Sequence, residues 1–144
     1  MDVPRVQDMP VVLPKIHVAP VKTEYYSRKV AAAVRCGAFR EASYYISLGG
    51  LCSSQDRTGQ TPLHYTAWQG SEGMAELLLR QGAIVDERDN SGETPLHIAA
   101  RYGRRNMILL FLEYGAKREL RNHLDQTAEE IAVKSYKGSL FPNP

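Results

Sequence analysis

The sequence is poor in the features that would place it in a membrane, in an oxidising compartment or on nucleic acid. Its only cysteines are Cys36 and Cys52, too few for a disulfide framework, so we expect reduced thiols and a protein of the cytosol or the nucleus. The longest apolar run, residues 107–112, is far shorter than the roughly 20 residues of a membrane-spanning helix. Basic and acidic side chains number 18 and 16, so the charge gives little reason to expect nucleic-acid binding.

The signatures of common enzymes are also missing. There is no glycine-rich phosphate loop, nucleophile elbow or kinase motif. Glu129 and Glu130 are adjacent, but neighbouring residues on a helix point about 100° apart, so we expect them to favour a helix N-terminus instead of forming a catalytic pair. Cys36 has no histidine or lysine placed to activate it, and we interpret it as a partly exposed structural thiol. We predict that the protein is not an enzyme and needs no cofactor.

What the sequence does contain is an internal repeat of 33 residues. TPLHYTAWQG at residues 61–70 recurs as TPLHIAARYG at residues 94–103, and fourteen positions are identical between residues 56–88 and 89–121. The matches fall at turn, cap and core positions. A fixed period of this length is typical of stacked repeats.

Each unit has the residues of a turn followed by two short helices. In residues 56–88, Gly59 suits a tight turn, Thr61 is a natural N-cap, and Pro62 fits the first helical position. Gly70 and Gly82 are placed to end the two helices. One such unit cannot bury its apolar face alone, so the stack is expected to be the stable structure.

This pattern resembles the ankyrin repeat family. The motifs that carry the resemblance are TPLH at 61–64 and 94–97, the glycines Gly70 and Gly103, the endings LLLRQGA (77–83) and FLEYGA (111–116), and the turns DRTG (56–59) and DNSG (89–92). The resemblance covers residues 23–136 and implies an all-α, ankyrin-type helix-turn-helix solenoid with short hairpin-like loops. It also implies a role in binding another protein.

The outer units depart from the repeated pattern. We predict a degenerate first unit at 23–55, full units at 56–88 and 89–121, and a partial unit at 122–136, followed by a tail at 137–144. A full fourth unit would run to about residue 154, so the chain either ends in an improvised cap or is the front portion of a longer protein. Residues 1–22, with four prolines among valines, leucine and isoleucine, predict an extended arm. This arm is either a flexible leader or a segment that packs on the first repeat or in a partner's groove.

His64 and His97 invite a metal or catalytic interpretation, but each belongs to the repeated framework. The resemblance implies that their imidazoles bridge backbone groups of the turn and of the next repeat. Neither has a cysteine or aspartate fixed beside it as a third ligand, so we expect no zinc site.

The resemblance also implies that positions which differ between units face outward and select the partner. The predicted partner-binding residues are Arg35, Arg57, Gln60, Trp68, Gln69, Asn90, Glu93, Arg101, Tyr102 and Arg105. Because Trp68, Arg101 and Tyr102 lie outside the framework, we expect their replacement to leave the fold intact. The only tryptophan is among them, although Trp68 could instead pack over its own neighbours.

We therefore predict a non-catalytic module that binds a partner protein through its concave face and loop tips. The alternative is a regulatory subunit or inhibitor of a signalling or transcription-factor complex, with the N-terminal arm as a second contact. A third, less favoured hypothesis is nucleic-acid binding through Arg101, Arg104, Arg105 and Arg121. No small-molecule substrate is expected.

Overall fold

The structure, a computed structural model, describes residues 20–136 and 140–143, and in that part the chain is helical. Its elements are seven helices: α1 (Pro20–Arg35), α2 (Phe39–Ser47), α3 (Pro62–Gln69), α4 (Glu72–Arg80), α5 (Pro95–Arg101), α6 (Arg105–Glu113) and α7 (Ala128–Tyr136). The described residues contain no strand, only an isolated antiparallel bridge between Arg121 and Thr127. The predicted all-α solenoid is confirmed.

The helices form two rows. Three helix pairs, α1 with α2, α3 with α4 and α5 with α6, pack together, and each pair belongs to one repeat. The first helices α1, α3, α5 and α7 pack side by side in chain order, and α4 packs on α6 in the second row. Each repeat therefore contacts the next one along the chain, as expected of a solenoid.

Local sequence explains where the central helices begin and end. Thr61 and Thr94 adopt extended backbone at the N-cap, and Pro62 and Pro95 follow at the first helical position, where the missing N–H costs nothing. Gly70 ends α3 in the left-handed conformation, with φ of 76°. The sequence predicted each of these roles.

The core combines small residues on the first helices with large ones at the helix-pair interfaces. Ala67, Ala99 and Ala100 are fully buried and allow neighbouring first helices to approach closely. Leu96 and Phe111 are also buried, Leu96 between its neighbours in the first row and Phe111 on α6. Burying such side chains contributes about 1.5–3 kcal/mol each.

The first repeat differs from the two central ones. Helix α1 has 16 residues, whereas α3 has 8 and α5 has 7. It begins at Pro20, so residues 20–22, which the sequence assigned to the extended arm, are helical. A proline is tolerated in the first turn of a helix. Pro20 therefore begins α1, whereas from the sequence we counted it among the prolines that exclude a helix. Residues 1–19, the rest of the predicted arm, lie outside the described residues.

The fourth repeat has one helix, α7, and a short returning segment. Residues 140–143 form no helix, but Phe141 is buried and its ring lies 5.3 Å from the guanidinium carbon of Arg118. Arg118 also donates from Nη1 to the carbonyl of Pro142 (2.9 Å). This segment therefore covers part of the core at the C-terminal end of the stack. Of the tail predicted at 137–144, residues 137–139 and 144 lie outside the described residues.

Candidate functional site

Three turns project from the stack in front of α3, α5 and α7, and we call them fingers (residues 56–60, 89–93 and 122–126). In the first finger, Oδ1 of Asp56 accepts hydrogen bonds from the N–H groups of Thr58 and Gln60, both at 2.9 Å. Asp89 does the same in the second finger. In the third finger, Asn122 supplies the equivalent oxygen. A side-chain oxygen that accepts from the backbone two residues later fixes such a turn.

Successive fingers are also bonded to each other. The N–H of Asn90 donates to the carbonyl of Thr58 (2.9 Å), and the N–H of His123 donates to the carbonyl of Ser91 (3.0 Å). Gly59 has a φ of 78°, and a Cβ there would lie 2.7 Å from the backbone nitrogen of Asn90. Only glycine fits this conformation and this close approach. The fingers thus form one rigid rim along the stack.

The histidines of the TPLH motifs hold the fingers to the helices. Nδ1 of His64 accepts from the N–H of Thr61 (3.1 Å), and Nε2 donates to the carbonyl of Glu93 in the next finger (2.8 Å). His97 repeats this arrangement with Thr94 and the carbonyl of Gln126. One nitrogen must accept and the other donate, so both imidazoles are neutral. Burial lowers the pKa of each below its usual value, which agrees with that assignment. The predicted structural role is confirmed.

In the fourth repeat Glu130 takes the position of these histidines. Its carboxylate accepts from the N–H of Thr127 (3.2 Å), and Thr127 Oγ1 accepts from the N–H of Glu130 (3.2 Å). This is a capping box at the start of α7. The prediction that Glu130 favours a helix N-terminus is confirmed.

A groove lies between the fingers and the first helices of the two central repeats. Its cavity volume is about 390 Å³, and its lining includes Trp68, Tyr102, Gln60 and Arg101. Trp68 and Tyr102 meet edge to face with ring centroids 6.4 Å apart. Trp68 remains 50% exposed and Tyr102 47% exposed. The two aromatic side chains therefore form a solvent-facing pair on successive repeats.

Glu93 is not the exposed tip residue that the sequence suggested. It is only 6% exposed, and both of its carboxylate oxygens accept from Arg101, with Nη1 to Oε2 at 2.7 Å. Asn122 adds a third bond at 3.3 Å. Burial opposes ionisation of Glu93, but these donors outweigh it and hold its pKa below the usual value. Arg101 is likewise engaged within the chain, so we expect its replacement to lower stability.

Two other predicted contact residues are engaged between repeats. Gln69 Nε2 donates to the carbonyl of Arg35 (2.8 Å), and Asn90 Nδ2 donates to the carbonyl of Arg57 (3.0 Å). Each of these bonds links equivalent regions of adjacent repeats. The side-chain amides of Gln69 and Asn90 therefore hold the stack together, although both side chains keep some exposed surface.

The sequence suggested Arg104 as a nucleic-acid contact and did not predict its bond within the chain. Its Nε and Nη2 donate to the carbonyl of Trp68 (3.3 and 3.1 Å), and Tyr136 donates to the equivalent carbonyl of Arg101 (2.7 Å). Gln69 makes the same kind of bond to the carbonyl of Arg35. Three carbonyls spaced by 33 residues, at the ends of α1, α3 and α5, therefore each accept a hydrogen bond from a side chain of the next repeat. A carbonyl at a helix end lacks an intrahelical partner, so each of these bonds satisfies an otherwise free acceptor.

The remaining predicted residues lie on the surface as expected, with Gln60 partly buried in the groove wall. Arg35, Arg57 and Arg105 are exposed. Arg35 lies 5.6 Å from the ring centroid of Tyr65, whose hydroxyl donates to Asp56. This contact places Arg35 at the end of the groove nearest the first repeat.

Within residues 20–136 and 140–143, no group of three or more His, Cys, Asp and Glu side chains is arranged to hold a metal ion. No helix in this part of the chain is long and apolar enough to span a membrane.

Comparison with known families agrees with this geometry. The family model for ankyrin repeats, in three copies, matches residues 30–122, well over half of the chain. The chain belongs to the ankyrin repeat family. No curated protein matches it.

Ankyrin repeats generally act as protein–protein interaction modules. The matched range contains Trp68 and Tyr102 of the groove and both buried histidines. The ankyrin match begins inside α1, so the first ten residues of that helix, 20–29, precede it.

Proposed function

We propose that this protein is a non-catalytic module that binds a segment of a partner protein in the groove between the fingers and the first helices. The observation that carries the proposal is the pair formed by Trp68 and Tyr102, which meet edge to face yet remain about half exposed. Tryptophan and tyrosine dominate the energetics of protein interfaces. Their rings provide a large contact area with few rotatable bonds.

The surroundings of the pair support a preorganised site. Arg104 fixes the end of α3 by donating to the carbonyl of Trp68, and the Glu93–Arg101 ion pair forms the neighbouring wall. Side chains and backbone held in this way lose little freedom on binding. Preorganisation of this kind raises affinity without adding contacts.

The exposed arginines among the predicted contact residues favour a partner with acidic residues beside its apolar contacts. Arg35, Arg57 and Arg105 are exposed, whereas the carboxylates of Asp89 and Glu93 are occupied by bonds within the chain. A basic rim raises the association rate of an acidic partner more than it raises the affinity.

A finer version of the proposal is that the module is a regulatory subunit or inhibitor, acting in the cytosol or the nucleus. The exposed thiol of Cys36 and the unpaired thiol of Cys52 support a reducing compartment. Dose-dependent inhibition of the purified partner would support the regulatory role, and binding without any change in the partner's activity would contradict it. Fractionation of cells that express the tagged chain would test the compartment.

Nucleic-acid binding has less support. Three of the four arginines that suggested it, Arg101, Arg104 and Arg121, already donate to acceptors within the chain. Affinity that falls steeply with salt concentration would indicate phosphate contacts and contradict the protein-binding proposal.

The test is partner capture followed by quantitative binding. A partner recovered from cell extract and identified by mass spectrometry is purified and titrated by calorimetry against wild type, Trp68→Ala and Tyr102→Ala. Trp68→Ala is expected to weaken binding by about 2 kcal/mol or more, the range of interface hot spots. Phe39→Ala, which removes an aromatic ring of similar exposure on α2, is the matched control and is expected to bind normally. Normal binding by both groove variants would contradict the proposal.

A further inference from the structure

The N-terminal end of the stack carries a row of four tyrosines, which we call the tyrosine face (Tyr25, Tyr26, Tyr44 and Tyr45). Tyr25 and Tyr26 meet edge to face with centroids 5.6 Å apart, Tyr26 stacks on Tyr45 at 6.2 Å, and Tyr45 meets Tyr44 at 5.4 Å. The row thus runs without a break from α1 to α2. Lys29 lies beside it, with Nζ 5.5 Å from the centroid of Tyr25.

The two ends of this face are open to solvent, whereas Tyr26 and Tyr45 between them are partly buried. Tyr25 is 53% exposed and Tyr44 is 59% exposed. None of the four hydroxyl groups makes a hydrogen bond to another described residue. The face therefore offers apolar rings together with free hydrogen-bond donors.

Half of the tyrosine face, Tyr25 and Tyr26, lies outside the repeated framework, whereas Tyr44 and Tyr45 belong to α2 of the first repeat. The position equivalent to Pro62, where α3 begins, is residue 29 (62 − 33), so residues 20–28 extend α1 where the central repeats have a finger. Tyr25 and Tyr26 lie in this extension, before the ankyrin match begins at residue 30. The extension is anchored by Ser27, whose hydroxyl oxygen accepts from the N–H of Leu51 (2.8 Å).

An exposed aromatic row is unusual at the end of a solenoid. Terminal repeats need a polar outer face to stay soluble, because no further repeat covers them. Contiguous exposed apolar surface commonly marks a binding site. Surfaces lined by aromatic side chains can accept proline-rich segments in the polyproline II conformation.

The sequence directly before α1 has the composition that such a surface accepts. Residues 4–18 contain Pro4, Pro10 and Pro14, and between and after them stand aliphatic side chains: Val6, Val11, Val12, Leu13, Ile16 and Val18. Prolines of this spacing favour the polyproline II conformation, whose backbone carbonyls have no internal hydrogen bonds. Those carbonyls can accept from tyrosine hydroxyls.

The segment before α1 is also long enough to cover the tyrosine face. Tyr25 follows Pro20 by five residues, which is about 7.5 Å along a helix. With the ring spacings above, a polyproline II segment at about 3.1 Å per residue covers the row with about six residues. Nineteen residues precede Pro20, which leaves enough chain to turn back over the face.

We propose that the tyrosine face is a docking site for a proline-containing apolar segment, and that its occupant is residues 4–18 of the same chain. The proline and aliphatic side chains lie against the rings, and the tyrosine hydroxyls donate to the carbonyls of the segment. The segment then covers the N-terminal end of the stack, as residues 140–143 cover part of the opposite end. This site is separate from the groove and does not depend on the proposed function.

Paramagnetic broadening in the full chain tests the contact. Cys36 is replaced by serine and Lys15 by cysteine, and a nitroxide is attached at residue 15. Cys52 is buried, and burial raises the pKa of its thiol to about 11, so it stays unlabelled at neutral pH. We expect the ring signals of Tyr25 and Tyr44 to be lost from ¹³C-tyrosine spectra, while the signals of Tyr102 and Tyr114 remain. Loss of no signals, or equal loss of all of them, would overturn the proposal.

A mixed sample identifies the source of the segment. Nitroxide-labelled protein without ¹³C is combined with ¹³C-tyrosine protein that carries no nitroxide. Unchanged spectra at several concentrations support a contact within one chain. Broadening of Tyr25 and Tyr44 in the mixed sample would assign the face to a second copy and overturn the proposed occupant.

Limited proteolysis gives an independent measurement. Trypsin cleavage after Lys15 is followed by mass spectrometry in wild type, in Tyr25→Ala/Tyr44→Ala, and in Tyr102→Ala as the control with an equally exposed tyrosine. The double variant is expected to be cut about tenfold faster than wild type, because two aromatic contacts are worth roughly that factor. Equal rates in all three proteins would contradict docking on these rings.

Discussion

Arg101 donates two parallel hydrogen bonds to the carboxylate of Glu93, eight residues earlier in the same repeat. Glu93 also receives a bond from Asn122 of the fourth repeat, and its own carbonyl accepts from His64 of the second. One glutamate therefore joins three successive repeats at the wall of the groove. Its carboxylate is charged and buried, so the loss of a hydrogen-bond donor to it is expected to lower stability.

The first prediction follows from this ion pair. Arg101→Ala removes two donors and leaves the buried carboxylate of Glu93 with one, so we expect a loss of about 1–3 kcal/mol in the free energy of unfolding. Arg105→Ala, at an exposed arginine on α6, should change it by less than about 0.5 kcal/mol. Urea titration of both variants measures the difference. Equal stability of the two would show that the ion pair contributes nothing in solution.

The second prediction concerns the core between the central repeats. Leu96 is 1% exposed, and Leu96→Ala should lower the free energy of unfolding by about 2–5 kcal/mol through lost burial and the cavity left behind. Leu124→Ala, at a leucine on the third finger that is largely exposed, is the control and should have little effect. A loss below roughly 1 kcal/mol at position 96, measured by denaturant titration, would contradict the packing of α5 against its neighbours.

The third prediction concerns pH. Burial keeps the pKa of His64 and His97 below the usual value, so the unfolded chain binds protons that the folded chain does not. Stability is therefore fully present above the unfolded pKa of about 6.5 and decreases as the pH falls through it. Urea titrations at pH 7.5 and 5.5 should show this decrease.

Substitution separates these histidines from other titrating groups. His97→Gln should lower stability at pH 7.5, because the new side chain cannot reproduce both imidazole bonds, and it should reduce the dependence on pH. His123→Gln, at an exposed histidine on the third finger, is the control and should leave the stability at pH 7.5 unchanged. Stoichiometric zinc in the purified wild-type protein that is lost in His97→Gln would contradict the structural role of this histidine.

The fourth prediction concerns the C-terminal end of the stack. Phe141→Ala should uncover part of the core at the C-terminal end of the stack without disturbing α3, because stability in a solenoid is passed only between neighbours. We expect amide hydrogen exchange in α7 to rise by a factor of roughly 5–30, which corresponds to one or two kcal/mol of local stability. Unchanged exchange in α7 would show that Phe141 does not stabilise that helix.

The framework could be predicted from the sequence because its chemistry is local. Thr61, Pro62 and Gly70 determine a helix start and stop within ten residues, and their recurrence 33 positions later confirms the pattern. The roles of His64 and His97 followed from the resemblance of their motif to that of the family. The exposed position of Trp68 followed from the same register.

The predictions failed where a side chain forms a hydrogen bond with a residue far away in the sequence, or with a partner that the equivalent residue of the other repeats does not have. Glu93 has the same register as the partly buried Gln60, but its burial depends on Arg101 and Asn122, which no local pattern links to it. The amide of Gln69 is occupied by a carbonyl 34 residues earlier. Pro20 was read as a helix breaker because the sequence alone does not distinguish a proline that precedes a helix from one that starts it.

The three capped carbonyls at the ends of α1, α3 and α5 accept from donors as different as an amide, a guanidinium and a phenol. Each of these bonds joins one repeat only to the next. If the two termini were pulled apart, the load would be carried by these junctions in series. A junction that broke would release one repeat while the rest of the stack kept its shape, so the chain would lengthen in steps under tension.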